Sequence, residues 1–218
     1  MSKVVVRWFF SRLFRLGKHI SRAGFDRFLA KEAEEVQGKM LSLGCGPKTY
    51  QAMTPAREVR MDITWRPSLH VNGDAHDLPF PDNLFDAVLV EEMLEHCRSP
   101  HQVANEIWRV LKPGGKLILT APFLFPMHDR PHDYFRFTEF GLRHLFRNFE
   151  HVSIRPHHSG YGTFVTLFER LIMEPGRVRY LSPLIAPISY VLLLLDPLVS
   201  RLVRIETFAS GYFVVAVK

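Results

Sequence analysis

A short apolar run ending in two closely spaced glycines, Leu41-Ser42-Leu43-Gly44-Cys45-Gly46-Pro47, constrains this chain more than any other feature. The run is too short for a helix and reads as a strand, and the glycines after it permit a tight turn whose backbone can approach a ligand. Similar runs follow. Glu58 to Asp62 reads as a second strand, His70 to Gly73 as a short third and Phe85 to Val90 as a fourth. Pro100 to Val110 reads as a helix, broken by Lys112-Pro113-Gly114-Gly115 before the apolar strand Lys116 to Ala121. Thr138 reads as the N-cap of a helix carrying Phe140, Leu142, Leu145 and Phe146. Val152 to Ile154 and Tyr212 to Val217 read as the last two strands. Strands alternating with helices in this way predict an α/β fold built on a doubly wound, mostly parallel sheet.

Carboxylates fall at the ends of these strands. Asp62 closes the second strand 16 residues after Gly46, where a carboxylate can accept hydrogen bonds from both hydroxyls of a ribose. Gly73-Asp74-Ala75 precedes Asp77-Leu78-Pro79-Phe80, and the strand opened by Phe85-Asp86-Ala87-Val88 closes on Glu91-Glu92-Met93-Leu94-Glu95-His96. Each piece alone is a turn or a cap. Their order and intervals together specify more.

The stretches "GDAHDLPFPDNLFDAVLVEEMLEH" and "LKPGGKLILTAP" resemble the class I, Rossmann-like superfamily of S-adenosylmethionine-dependent methyltransferases. The likeness is to its small type 11 group, which includes quinone-biosynthesis methyltransferases, and covers roughly Lys39 to Phe123. It implies a seven-stranded sheet with S-adenosylmethionine over the carboxyl ends of the strands. By the same likeness Gly44, Cys45 and Gly46 pass beside the methionine part, Asp62 holds the ribose and Ile63 packs near the adenine. Asp74 accepts from the adenine amino group with the Ala75 amide alongside, and Val90 and Glu91 line the methionine end. The chain departs from the family loop in two places. Ser42 stands where an acidic residue is usual, and Lys48 where another glycine is usual.

Methyl transfer is a displacement from sulfonium, so positioning dominates, and a base is needed only when the acceptor loses a proton. The loop from Phe125 to Thr138 is dense in ionisable and aromatic side chains. It yields three candidates: His128 as base or acceptor-binding group, Asp133 orienting it, and Arg136 clamping an anionic or hydroxyl-rich acceptor. The bland reading pairs Arg136 with Asp133 or Glu139 and buries the aromatics. The "H-x-x-P-x-D-Y-F-R-F-T" spacing resembles methyltransferases of glycan and cell-envelope biosynthesis, which implies substrate class only; the basic arm, the apolar insertion and this polar loop together point to a hydroxyl acceptor on a sugar or lipid-linked molecule.

The net charge of +6 is concentrated at one end. Residues 1–31 hold eight Lys or Arg against Asp26 alone, so the rest of the chain is nearly neutral and no nucleic-acid partner is expected. Residues 4–29 read as an amphipathic helix with Phe9, Leu13, Leu16 and Ile20 on one face, suited either to docking or to an anionic membrane surface. The apolar tract Leu184 to Leu195 contains Pro187 and is too short to span a bilayer, which takes about 20 apolar residues. Four segments follow: a basic arm (1–38), a cofactor-binding core (39–155), an apolar helical insertion (156–208) and the last strand (209–218). Cys45 and Cys97 make no metal-ligand spacing, no metal is expected, and no signal-type segment is evident; the chain reads as cytoplasmic and peripheral on the inner membrane face.

Two rivals remain. A nicotinamide-dependent oxidoreductase needs G-x-G-x-x-G, and this loop lacks the third glycine. A catalytically silent cofactor-binding or membrane scaffold would keep the fold without the chemistry.

Overall fold

The computed structural model describes residues 25–46, 58–158, 160–173, 182–202 and 207–218. Helix α1 covers residues 25–34, so the part of the predicted amphipathic helix before residue 25 lies outside the described residues. The seven strands are β1 (Met40–Leu43), β2 (Glu58–Asp62), β3 (Val71–Asn72), β4 (Phe85–Glu91), β5 (Leu111–Pro122), β6 (His151–Pro156) and β7 (Gly211–Val217). The helices after α1 are α2 (Pro100–Val110), α3 (Glu139–Leu145), α4 (Gly160–Met173), α5 (Ser182–Leu194) and α6 (Asp196–Leu202).

The strands form one sheet in the order β3-β2-β1-β4-β5-β7-β6, in which β1, β2, β3, β4 and β5 pair in parallel and β7 runs antiparallel to β5. This is the doubly wound sheet expected from the sequence. Central strands covered on both faces must be apolar throughout, and β1 is buried at all four positions. On one face Leu29 of α1 packs with Met40, Ala87, Leu89 and Ile118. Helix α2 buries Val103, Ala104, Ile107 and Val110, an i, i+3, i+4 stripe, and opens with Pro100, whose fixed φ suits the first turn.

Two local expectations change in detail. The Lys112-to-Gly115 segment ends α2, yet it lies within β5, because Leu111 already pairs with Phe85 and the ladder shifts register before Lys116 meets Ala87. The interruption is held at the far edge, where the Gly114 N–H donates to the Lys218 carbonyl at 2.6 Å. Thr138 does cap α3, its hydroxyl accepting from the Gly141 N–H at 3.0 Å, but Phe140 is exposed and only Leu142, Leu145 and Phe146 turn inward.

The described residues divide into two compact units. The larger, Phe28–Phe123 with Met127–Arg155 and Gly211–Lys218, contains nearly all of the sheet. The smaller takes in Leu124–Pro126 and the described parts of 156–210, with α4, α5 and α6 packed on one another. There the Gly162 N–H donates to Asp196 Oδ1 at 3.0 Å, and burial holds the His157 imidazole well below its usual range. Ile188, Val191 and Leu194 of α5 and Leu198 and Leu202 of α6 are exposed. No helix among the described residues is long and apolar enough to cross a membrane.

Candidate active site

The chain runs from β1 to β2 and β3 on one side and returns to β4 and β5 on the other, so the order reverses between β1 and β4. In open α/β sheets the crevice outside the carboxyl ends at this point is where ligands bind. Here those ends carry the glycine turn, Asp62, the Glu91-to-His96 segment and the loop after β5.

Gly44 and Gly46 both take left-handed backbone angles, φ 64° and 55°. A Cβ on Gly44 would fall 2.3 Å from Met93 Cγ, so this position is closed to any larger residue. Among the described residues, a Cβ on Gly46 would meet nothing within 4 Å. The Gly46 N–H donates to Asp62 Oδ2 at 2.9 Å, and Thr64 donates its N–H to Oδ1 at 2.8 Å. The carboxylate is thereby fixed beside the turn, with lone pairs left for a diol. Ile63 next to it is 70% exposed, an apolar surface of the kind an adenine ring covers.

Asp74 and Ala75 follow β3. The Asp74 carboxylate accepts from the His76 N–H at 3.0 Å and meets His76 Nδ1 at 2.6 Å, and these bonds hold its carboxyl below the usual range. Both contacts use Oδ1, and Oδ2 has no hydrogen-bond partner among the described residues. Val90 is fully buried, so at the strand end it offers backbone rather than side chain, while Glu91 is partly exposed. Cys45 is partly buried, which pushes its thiol up.

The departure at Ser42 has a structural counterpart. Ser42 is 1% exposed and donates its hydroxyl to Glu58 Oε1 at 2.6 Å, so it serves the interior and not the crevice. Glu58 lies beside buried Arg60, and Arg60 Nη2 donates to the Gly46 carbonyl at 3.2 Å. This network under the glycine turn was not anticipated from the sequence. Only three-dimensional register, Ser42 opposite Arg60 across β1 and β2, shows it.

On the other side, Asp133 takes the centre of the β5 loop. Its carboxylate accepts from Arg136 Nη1 at 2.6 Å and Nη2 at 2.7 Å and from the His128 N–H at 2.8 Å. The Arg136 guanidinium beside it holds the Asp133 carboxyl down at about 2. The three candidates of this loop are therefore brought together. Arg136 grips Asp133 with both terminal nitrogens, in the paired arrangement that the bland reading allowed. His128 Nδ1 stands 3.6 Å from Asp133 Oδ2, and its Nε2 is 3.9 Å from Glu95 Oε1. Glu95 and His96 were legible only as part of the "EEMLEH" stretch. The fold makes them neighbours of His128.

Residues 41–119 match a family model described as a methyltransferase domain. The demethylmenaquinone methyltransferase of Symbiobacterium thermophilum is 36% identical over 111 residues, 51% of this chain and 35% of that protein. The chain spans about a third or less of the curated relatives it matches, 29% and 20% of two others. A SAM-dependent methyltransferase from Archaeoglobus fulgidus superposes with a TM-score of 0.58 at 14% identity, covering 94% of both chains. The [4+2]-cyclase SpnF superposes with a TM-score of 0.55 at 21% identity, covering 88% of this chain and 81% of that one. The fold is the class I methyltransferase fold.

Proposed function

We propose, for a chain whose residues 41–119 match a methyltransferase domain on that fold, that it transfers a methyl group from S-adenosylmethionine to a hydroxyl of a small sugar or lipid-linked acceptor. The observation that carries the cofactor half is the Asp62 carboxylate bonded to the Gly46 amide at the carboxyl ends of β1 and β2. The residues present fit the cofactor. Asp62 would hold the ribose, Ile63 would cover the adenine with Asp74 and Ala75 at its edge, and Gly44 to Gly46 with Val90 and Glu91 would face the amino-acid end. When bound, the cofactor supplies an electrophilic methyl group on a cationic sulfur.

The acceptor half rests on the loop after β5. It is fixed at its base, where Tyr134 and Phe135 donate their N–H groups to the Glu95 carbonyl at 2.9 and 3.2 Å. Preorganised support of this kind is what positioning catalysis needs. His128, with Nδ1 toward Asp133, takes the hydroxyl proton as the oxygen attacks. A cyclase shares this fold, so the test is whether a methyl group moves. With methyl-labelled S-adenosylmethionine and a cell-envelope extract, label is expected in an organic-soluble or glycan product. His128→Ala is expected to lower turnover about 100-fold. Cofactor binding without any labelled product would favour the silent module, and undiminished turnover in His128→Ala would remove the base.

The membrane half draws on the eight basic residues within 1–31 and on the exposed apolar side chains of α5 and α6. The full chain is expected to cosediment with anionic vesicles at low salt and to release as salt rises toward 0.5 M, roughly where screening shortens to a few ångströms. Protein left entirely in the supernatant at low salt would remove this half.

A further inference from the structure

Glu95 presents an unresolved cost. Its side chain has no exposed surface, and neither carboxylate oxygen has a hydrogen-bond partner among the described residues. An uncompensated buried carboxylate is among the most unfavourable groups a protein can hold. Burial first, then the nearby charge of Glu92 and more weakly that of Asp133, drive its carboxyl well above the usual range against the opposing pull of the Arg136 guanidinium.

Beside Glu95 stand two imidazole nitrogens. His96 Nε2 lies 3.7 Å and His128 Nε2 3.9 Å from Glu95 Oε1, and the ligand atoms of the three residues are all within 4.8 Å of one another. These separations are too long for hydrogen bonds. Donors sharing one ion at about 2.1 Å lie roughly 3–3.5 Å apart, so the pairs to Glu95 close by under an ångström and the widest separation in the set by up to roughly 1.8 Å.

The backs of both imidazoles are already oriented. His96 Nδ1 is 2.7 Å from the His132 carbonyl, which fixes the proton there and turns the Nε2 lone pair toward Glu95. His128 Nδ1 faces the Asp133 carboxylate, itself held by Arg136. A carboxylate or carbonyl behind each ligating histidine is the usual outer support of a metal site. The two imidazoles keep partial exposure, 22% and 30% of their side chains, so solvent reaches this cluster. Asp129, 80% exposed with Oδ2 4.0 Å from His96 Nε2, is within reach as a further ligand.

We propose that Glu95, His96 and His128 bind one divalent transition-metal ion at the mouth of the crevice, with open positions for the methyl acceptor. Two imidazoles and one carboxylate suit manganese, iron, cobalt or zinc and not magnesium or calcium, which prefer all-oxygen sets. The ligands stand at the carboxyl ends of β4 and β5, adjacent parallel strands. Resting on the methyl-transfer reading, this assigns the acceptor class: a molecule with two neighbouring oxygens that chelates the ion. Coordination lowers the acceptor hydroxyl's pKa. Its proton leaves to solvent, the oxygen forms the bond to the methyl carbon, and the carbon–sulfur bond breaks with its electron pair remaining on sulfur. With the ion present His128 is a ligand, and the base role given to it above passes to water.

Manganese(II) binding to the full chain, followed by electron paramagnetic resonance of the free ion, tests the site without any substrate. One ion per chain is expected. His96→Ala and the near-isosteric Glu95→Gln are each expected to weaken binding at least 10-fold, and Asp62→Ala is expected to leave it unchanged. No manganese, cobalt or zinc bound by folded wild-type protein that still binds S-adenosylmethionine would overturn the metal site and leave methyl transfer standing. Metal bound by a chain with no affinity for S-adenosylmethionine would overturn the methyl-transfer reading and leave the site. Binding unaffected by both ligand variants would place the ion elsewhere and overturn the assignment.

Discussion

Asp62→Ala is expected to raise the dissociation constant for S-adenosylmethionine at least 100-fold while leaving the fold intact. Two charge-assisted hydrogen bonds to a ribose diol are together worth about 3 kcal/mol, and each 1.4 kcal/mol is a factor of ten. The cost to the free protein is smaller. Asp62 is only partly buried, and the amides it accepts from, Gly46 and Thr64, stand at a turn that water reaches. Calorimetric titration of wild type and variant gives the comparison, with circular dichroism to confirm that the sheet persists. Affinity within threefold of wild type would show that the carboxylate does not hold the cofactor, and the proposed adenosine site would then fail.

Asp62 and Gly46 could be read from the sequence because they end neighbouring parallel strands. Register in a parallel pair brings such ends together whatever lies between them. The strands themselves were legible for a similar reason: a doubly covered sheet demands apolar runs, and turn residues punctuate them. Arg136 shows where this stops. Asp133 and Glu139 lie at equal distances along the chain, three residues to either side, and the choice between them is made by tertiary packing. Asp133 is drawn inward to receive the His128 amide and captures Arg136, while Glu139 starts a helix and pairs with Arg143 one turn on at 3.0 Å. Phe140 is a related case. Its place in an apolar pattern says nothing of whether a neighbour covers that side of α3, and none among the described residues does. The convergence of Glu95 and His96 with His128 was out of reach for a spacing rule, since the pairing of β4 with β5 brings together residues more than thirty positions apart.

The Arg60 network beneath the glycine turn carries the second large effect. Arg60 and Glu58 have side chains only 4% and 8% exposed, and Glu58 Oε1 receives the Ser42 hydroxyl. Arg60→Met keeps the bulk, removes the cation and leaves the Glu58 carboxylate buried with a single neutral donor. Breaking one side of a buried ion pair costs about 3–5 kcal/mol, and in a chain of this size that is a fall in melting temperature of roughly 10 °C. Adding Glu58→Gln removes the stranded charge while retaining an acceptor for Ser42, so the double variant is expected to recover at least half of the lost stability. Cofactor affinity follows a different course. The Gly46 carbonyl loses its Arg60 donor in both variants, so the turn is no longer pinned from below and binding stays weakened even where stability returns. Thermal denaturation and cofactor titration on the same three proteins separate the two effects. A double variant no more stable than Arg60→Met, or one that regained full affinity, would mean that Arg60 neither balances Glu58 nor holds the turn.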